Sequence, residues 1–240
     1  MIKKHIPNSI TLLNLFSGSM AVIVALEGSL LLASALLGLS AVFDFFDGFV
    51  ARLLKVKSDI GKELDSLADV ISFGLAPSVI LFYLIREHTR VLQPGWTDYV
   101  PYTALLIAGF SALRLAKFNL DTRQTDSFLG LPTPANALFI ASLPFFSGPA
   151  AVQDAGWLTI LAGNPVFLLV LIPVSCIMLV SEIPLFAMKF SHGFSFKVNK
   201  LKYLLVLLAI AGFLFLQWAS IPLLVIAYIL ISLAGRNGNV

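Results

Sequence analysis

A chain of 240 residues that is 58% hydrophobic and only 12% charged cannot be an ordinary soluble domain, where roughly 25% of residues carry charge; its solvent is a bilayer. The net charge of +3 does not point to nucleic acid, because the basic residues sit beside apolar runs, where they orient spans and meet anionic lipid. One cysteine, Cys176, excludes a disulfide framework or a cysteine metal site within the chain and reads as a small buried hydrophobe.

Residues 1–8, with Lys3, Lys4 and Pro7, precede the first apolar run and form either a short interfacial segment or a tail. No small-residue cleavage site is evident before the next span, so no cleaved signal peptide is expected. A window of about 19 residues then predicts spans at 9–27, 30–53, 63–85, 99–117, 133–149, 164–187, 202–217 and 220–234. The expectation is an all-α, polytopic transmembrane bundle of about eight spans: six in the core and a tight C-terminal hairpin. The span at 133–149 carries Pro134, Pro144 and Pro149, which kink helices. With a cytoplasmic N-terminus, fourteen of the sixteen Lys and Arg fall on the cytoplasmic side and only Arg86 and Arg90 on the other. The positive-inside rule therefore places both termini and the 54–62 loop in the cytoplasm.

Four acids lie in or at the ends of the second and third spans: Asp44, Asp47, Asp65 and Asp69. A bare carboxylate near lipid costs about 2.5 kcal/mol or more and needs a partner, and four together repel unless a cation binds among them. Asp44 and Asp47 are i,i+3 and Asp65 and Asp69 are i,i+4, so each pair shares a helix face. If the two helices form an antiparallel hairpin about Val56, Asp47 and Asp65 stand at equal depth, and Asp44 and Asp69 nearly so. Hard oxygen donors with open positions suit Mg²⁺ or Mn²⁺, and two ions fit if they share carboxylates. Magnesium usually completes its shell with water and substrate phosphates, which points to phosphoryl chemistry. Arg52 lies one helical turn beyond Gly48, placed to meet a phosphate or, more simply, to orient the span. Two other readings of the acids are unrelated helix-end charges and a divalent-cation pathway. A pathway should spread its acids through the membrane depth and avoid Arg52.

Residues 44–69 read DFFDGFVARLLKVKSDIGKELDSLAD. The stretch resembles the signature of the CDP-alcohol phosphotransferase family, D-x2-D-G-x2-A-R-x8-G-x3-D-x3-D, at all eight fixed positions. The resemblance implies a membrane enzyme that moves a phosphoalcohol group from a CDP-linked donor to an acceptor hydroxyl and releases CMP. It implies that Asp44, Asp47 and Asp65 are metal ligands, and that Asp69 is both a ligand and the general base. Gly48 and Arg52 would contact the donor, with Ser58 a further polar contact. Asn8, Thr11 and Asn14 fall on one face of the first span and are read either as donor contacts or as interhelical hydrogen bonds. Asp59 reads as a solvated loop charge.

Other segments resemble the type II phosphatidylserine synthases of that family. These are IPNSITLLNLFSGSMAVI from Ile6, DSLADVISFGLAP at 65–77, SALRLAKFNLD at 111–121, FLGLPTPANA at 128–137 and LVSEIPLFAMKF at 179–190. The implied substrates are CDP-diacylglycerol and L-serine, with Arg114 and Lys117 as candidate contacts to the serine. Lys117 stands where the family pattern leads one to expect arginine, which loses the bidentate fork. Glycerol 3-phosphate or an inositol phosphate remains the alternative acceptor; it would call for a dense basic cluster around Arg114, Lys117 and Arg123. Residues 1–190 are thus expected to form the catalytic membrane domain and 191–240 its C-terminal hairpin. A prokaryotic plasma membrane, a cytoplasm-facing site and a homodimer complete the expectation.

Overall fold

The computed structural model describes residues 5–56, 58–90, 95–120, 127–147, 156–186 and 200–235. Lys3, Lys4, Lys57, Arg123, Lys189, Lys197 and Arg236, which the charge count uses, lie outside them. The described chain is a helical bundle. In order come α1 (His5–Leu26), α2 (Leu30–Leu53), α3 (Asp59–Asp69), a π-helical turn (Val70–Leu75) and α4 (Ala76–Thr89). A 3-10 segment (Trp96–Leu105) leads into α5 (Leu106–Leu120), and then follow α6 (Thr133–Ser142), α7 (Trp157–Ala162), α8 (Pro165–Val180), α9 (Lys200–Leu216) and α10 (Ser220–Gly235). Five helical stretches are long and apolar enough to cross a membrane: His5–Leu26, Leu30–Leu53, Asp59–Thr89, Trp96–Leu120 and Tyr203–Leu233. The outer faces carry large exposed apolar side chains, among them Phe16, Leu53, Ile160 and Phe215. In water such a surface would aggregate; against lipid it is solvated.

The centre of the bundle is α4. It is buried on nearly every face, including Ile80, Leu81, Leu84 and Ile85, as expected of a helix that is apolar all round. α1, α2, α5, α6 and α8 pack about it, with Leu37, Ile107, Ile140 and Leu168 fully buried in the same core.

Asp59–Thr89 runs as one helical stretch, but it widens at Val70–Leu75. Pro77 supplies the reason. It has no N–H to give the carbonyl of Phe73, and its ring crowds that carbonyl, so the ladder upstream is re-paired as a π turn. Two neighbours come very close there. A Cβ on Gly18 of α1 would lie 2.7 Å from Ser72 Cα, and one on Gly74 would lie 3.1 Å from Ser111 Cβ of α5. The Ser72 contact involves backbone, which cannot swing aside. Gly18→Ala is therefore expected to cost about 1–3 kcal/mol, the usual penalty for overpacking. A clear drop in the thermal unfolding midpoint in detergent checks this; an unchanged midpoint refutes the tight α1 contact.

The predicted span at 164–187 ends as a helix at Val180, because Ser181 is extended. The chain then forms a strand, β2 (Pro184–Phe186), paired antiparallel with β1 (Ser127–Leu129). Beside this pairing, the Leu131 N–H donates to the Met178 carbonyl at 2.8 Å and the Gly130 N–H to the Ile183 carbonyl at 2.9 Å. The Met178 carbonyl belongs to the last turn of α8, where no intrahelical donor remains. Gly130 has φ +75°, and a Cβ there would lie 2.6 Å from the Leu179 carbonyl oxygen, so only glycine fits this turn. The Gly-Leu-Pro-Thr-Pro loop is thereby fixed to the end of α8, and α6 starts from it.

Of the predicted span at 133–149, the described part is α6 followed by a 3-10 turn at Leu143–Phe145. α9 and α10 meet at a 3-10 turn, Gln217–Ala219, where Gln217 has φ +49°, and a Cβ on Gly212 of α9 would lie 3.1 Å from Ser220 Cβ of α10.

Candidate active site

α2 and α3 are joined by a short connection, and Ser58 starts the second helix by accepting the Gly61 N–H at 3.3 Å, an ordinary N-cap. The hairpin brings Asp44, Asp47 and Asp65 together, with one carboxylate oxygen from each lying within 4.8 Å of the others. Asp69 follows one turn beyond Asp65 and is buried, 8% exposed, as is Asp47 at 6%.

α1 holds the two buried acids. Thr11 Oγ1 donates to Asp47 Oδ2 at 2.6 Å, and Asn14 Nδ2 donates to Asp69 Oδ1 at 3.4 Å. Asn14 is itself fixed, since its backbone carbonyl accepts from Ser40 Oγ at 2.8 Å and Ser72 Oγ at 3.1 Å. The described side-chain bonds of Thr11 and Asn14 across the bundle thus go to the carboxylates, and both residues act as interhelical ties. Asn8, one turn nearer the N-terminus, is half-buried, and its Oδ1 lies 3.0 Å from where a Gly61 Cβ would be.

Gly48 and Arg52 sit as their spacing suggests: Arg52 Nη1 lies 3.5 Å from the position of a Gly48 Cβ. The guanidinium is exposed, folded back along its own helix beside the acids. Ser58 is half-buried and engaged as the α3 cap, while Asp59 is exposed.

Arg114 on α5 is buried, 7% exposed. Its Nη1 donates to Thr133 Oγ1 at 3.4 Å, its Cζ lies 5.9 Å from the Phe118 ring centroid, and it is close enough to Asp69 for their charges to interact. Lys117, one turn on, is exposed and stands apart from this buried group. Farther along α5, Asn119 Nδ2 donates to Ser66 Oγ at 2.8 Å, and its carbonyl accepts from Lys62 Nζ at 3.2 Å, tying α5 to α3. Thr133 and Asn119 have no motif of their own; only their flanking segments could have drawn attention to them.

The donor set fits a divalent cation. Three hard carboxylates converge from two helices, with a fourth one turn away, and among the described residues the only ion pair is Arg90 with Glu87, far along the chain. Arg52 and Arg114 act on Asp47 and Asp69 only at a distance, and among the described residues none of the four acids is in a direct ion pair.

Residues 4–163 match the profile of the CDP-alcohol phosphatidyltransferase family. The chain belongs to that family. It is 34% identical over 187 residues to the CDP-diacylglycerol–serine O-phosphatidyltransferase of Mycobacterium leprae, covering 75% of this chain and 57% of the relative. It is 38% identical over 136 residues to the Helicobacter pylori (strain ATCC 700392 / 26695) enzyme of the same name, covering 56% of this chain and 54% of the relative. To the Mycobacterium bovis enzyme, also so named, it is 32% identical over 232 residues, covering 93% of this chain and 75% of the relative. Against the first two, the chain spans little more than half of the relative's length. The signature at 44–69 falls within the matched region, and three of its four fixed aspartates, Asp44, Asp47 and Asp65, are the ones that converge.

Proposed function

We propose that this protein transfers the phosphatidyl group of CDP-diacylglycerol to the hydroxyl of L-serine, giving phosphatidylserine and CMP. The observation that carries this is the convergence of Asp44, Asp47 and Asp65 on a hairpin with a complete family signature, beside the exposed Arg52. The names of the relatives and the segments at 65–77, 111–121 and 128–137 support serine as the acceptor.

Asp44, Asp47, Asp65 and Asp69 would hold Mg²⁺ or Mn²⁺, two ions in this reading, and bound metal would supply positive charge to the donor pyrophosphate. Arg52, over Gly48, meets the phosphate of the leaving CMP. Asn8 and Ser58 flank the same end of the hairpin and complete the donor site, while Thr11 and Asn14 hold the acids in place. Asp69 takes the proton from the serine hydroxyl as its oxygen bonds to the phosphorus that carries diacylglycerol; the bond from that phosphorus to CMP breaks. Arg114 receives the serine carboxylate, and exposed Lys117 adds positive charge at the entrance. The donor's acyl chains lie against the apolar outer faces.

The decisive assay offers CDP-diacylglycerol with labelled serine, glycerol 3-phosphate or an inositol phosphate. Phosphatidylserine is the expected product, and a glycerophosphate- or inositol-containing lipid would replace serine as the acceptor. Because the acids repel one another without a cation, activity is expected to vanish in excess EDTA and to return with Mg²⁺ or Mn²⁺. Full activity in EDTA would dispose of the metal.

We also propose eight crossings with both termini and the site on the cytoplasmic side of a prokaryotic plasma membrane, a reading supported by the Lys and Arg asymmetry. Lys57→Cys and Lys197→Cys should be labelled by an impermeant thiol reagent only after the cytoplasmic face is opened. Labelling of Lys57→Cys from outside would invert the topology. A homodimer belongs to the same reading; a single-chain mass after crosslinking in native membranes would remove it.

A further inference from the structure

Asn119, near the end of α5, is bonded twice to α3. Its Nδ2 donates to Ser66 Oγ at 2.8 Å, and its carbonyl accepts from Lys62 Nζ at 3.2 Å. Ser66 Oγ in turn donates to the Lys62 carbonyl at 3.2 Å, so its one proton is committed and a lone pair is left for the amide. Deeper in the bundle the same two stretches meet again. A Cβ on Gly74 would lie 3.1 Å from Ser111 Cβ and 3.6 Å from the Ala108 backbone.

Eight residues separate Ser66 from Gly74, and eight separate Asn119 from Ser111. The two stretches therefore run antiparallel in one register. Asp69 comes one turn after Ser66, and Arg114 one turn after Ser111. Both lie between the two contacts and, by i,i+3 spacing, toward the faces that make them. In that register Arg114 stands opposite Ile71, two residues or about 3 Å along the axis from Asp69. The pairing of α3 with α5 thus brings the proposed base and the proposed carboxylate ligand to nearly one depth.

The two contacts are not equivalent. Gly74 lies inside the π turn, where winding departs from the regular helix, so its contact with Ser111 does not set the rotation of α3 before the turn. Ser66 is in the regular part of α3, three residues from Asp69. Asn14 holds Asp69 to α1. Asn119 holds the same helix to α5, and the distance from Asp69 to an acceptor at Arg114 depends on that second tie.

We infer that Asn119 is a positioning residue for the transfer: by holding Ser66 it fixes α3 against α5 and sets the gap between Asp69 and the acceptor bound at Arg114. The inference rests on the proposed serine transfer and adds a residue that the signature does not reach. Asn119 touches neither substrate nor metal in this role; it acts through Ser66, whose helix carries Asp65 and Asp69.

The test is a pair of substitutions in the full chain, Ser66→Ala and Asn119→Leu. A misplacement of about 1 Å costs up to about 10²-fold in rate, so each variant is expected to lower kcat for serine transfer about 10–100-fold. The KM for CDP-diacylglycerol and the unfolding midpoint in detergent should not change. Removing both partners of one bond should cost no more than removing either, so the double variant should match the single ones. Asn119→Gln keeps the amide donor on a longer stem and should recover part of the turnover. A purely structural tie predicts a lower midpoint with kcat unchanged. That result, or losses that multiply in the double variant, would overturn the positioning role while leaving serine transfer intact. A wild-type enzyme that makes no serine lipid would remove the parent reading and this role with it. If Asn119→Leu does not accumulate, Ser66→Ala decides alone, since it deletes only one half-buried hydroxyl; an unchanged kcat in that variant refutes the role.

Discussion

Asp69→Asn is expected to lower turnover by at least about 10²–10⁴-fold, the usual effect of removing a general base, while CDP-diacylglycerol still binds. The side chain keeps its shape, so the buried site need not repack. Asn14, which now donates to Asp69 Oδ1, has an Oδ1 with no partner among the described residues and can turn over to accept from the new amide. What is lost is the proton acceptor and one negative charge of the quartet. Asp44, Asp47 and Asp65 remain within 4.8 Å of one another to hold the donor end. Single-turnover rates alongside equilibrium binding of the donor separate the two effects. Residual activity within tenfold of wild type would place the base elsewhere.

Arg114→Ala is expected to raise the KM for serine by about 10–100-fold, the range for charge-assisted hydrogen bonds, and to leave that for CDP-diacylglycerol nearly unchanged. Arg114 stands on α5 beside Thr133 and near Asp69, not on the helix that carries Gly48 and Arg52, so its removal is expected to withdraw binding from one substrate only. The side chain is buried and donates to Thr133 Oγ1, so the variant also leaves space beside α6. Arg114→Lys is the companion measurement: it restores charge without the planar fork and should recover only part of the affinity. Equal loss for both substrates, or behaviour like wild type, would show that the serine pocket lies elsewhere. The aspartate chemistry would survive that result.

The sequence made the α2–α3 hairpin legible because its information is local. Helical spacing decides which acids share a face, and a short connection fixes their relative depth, so the approach of Asp44, Asp47 and Asp65 could be expected from counting outward from Val56. The contact between Arg52 and Gly48 follows from i,i+4 spacing in the same way. The partners of the acids were harder to read. Thr11 and Asn14 lie on a face that suits either a ligand or a neighbouring helix, and only packing assigns them to Asp47 and Asp69. The end of α8 was hidden because the apolar run continues through Pro184–Phe186, where hydropathy cannot tell a helix from a short paired strand. Tyr228 carries no local signal: its place against Leu131 and Leu185 depends on how α10 packs past α6.

The π turn after Asp69 sets the two halves of its helix out of phase. Such a turn holds about one residue more than an α turn, and each residue advances the helix by about 100°. The face that presents Asp65 and Asp69 to the polar end of the bundle is therefore angularly offset from the face that α4 would inherit in an uninterrupted helix. One continuous stretch can aim its carboxylates in one direction while its distal half is packed on nearly every side. Regular winding with every residue retained would turn the acids by about 100° relative to α4 and away from α1, whereas losing a single residue at 70–75 would remove the bulge and leave both halves facing as they do.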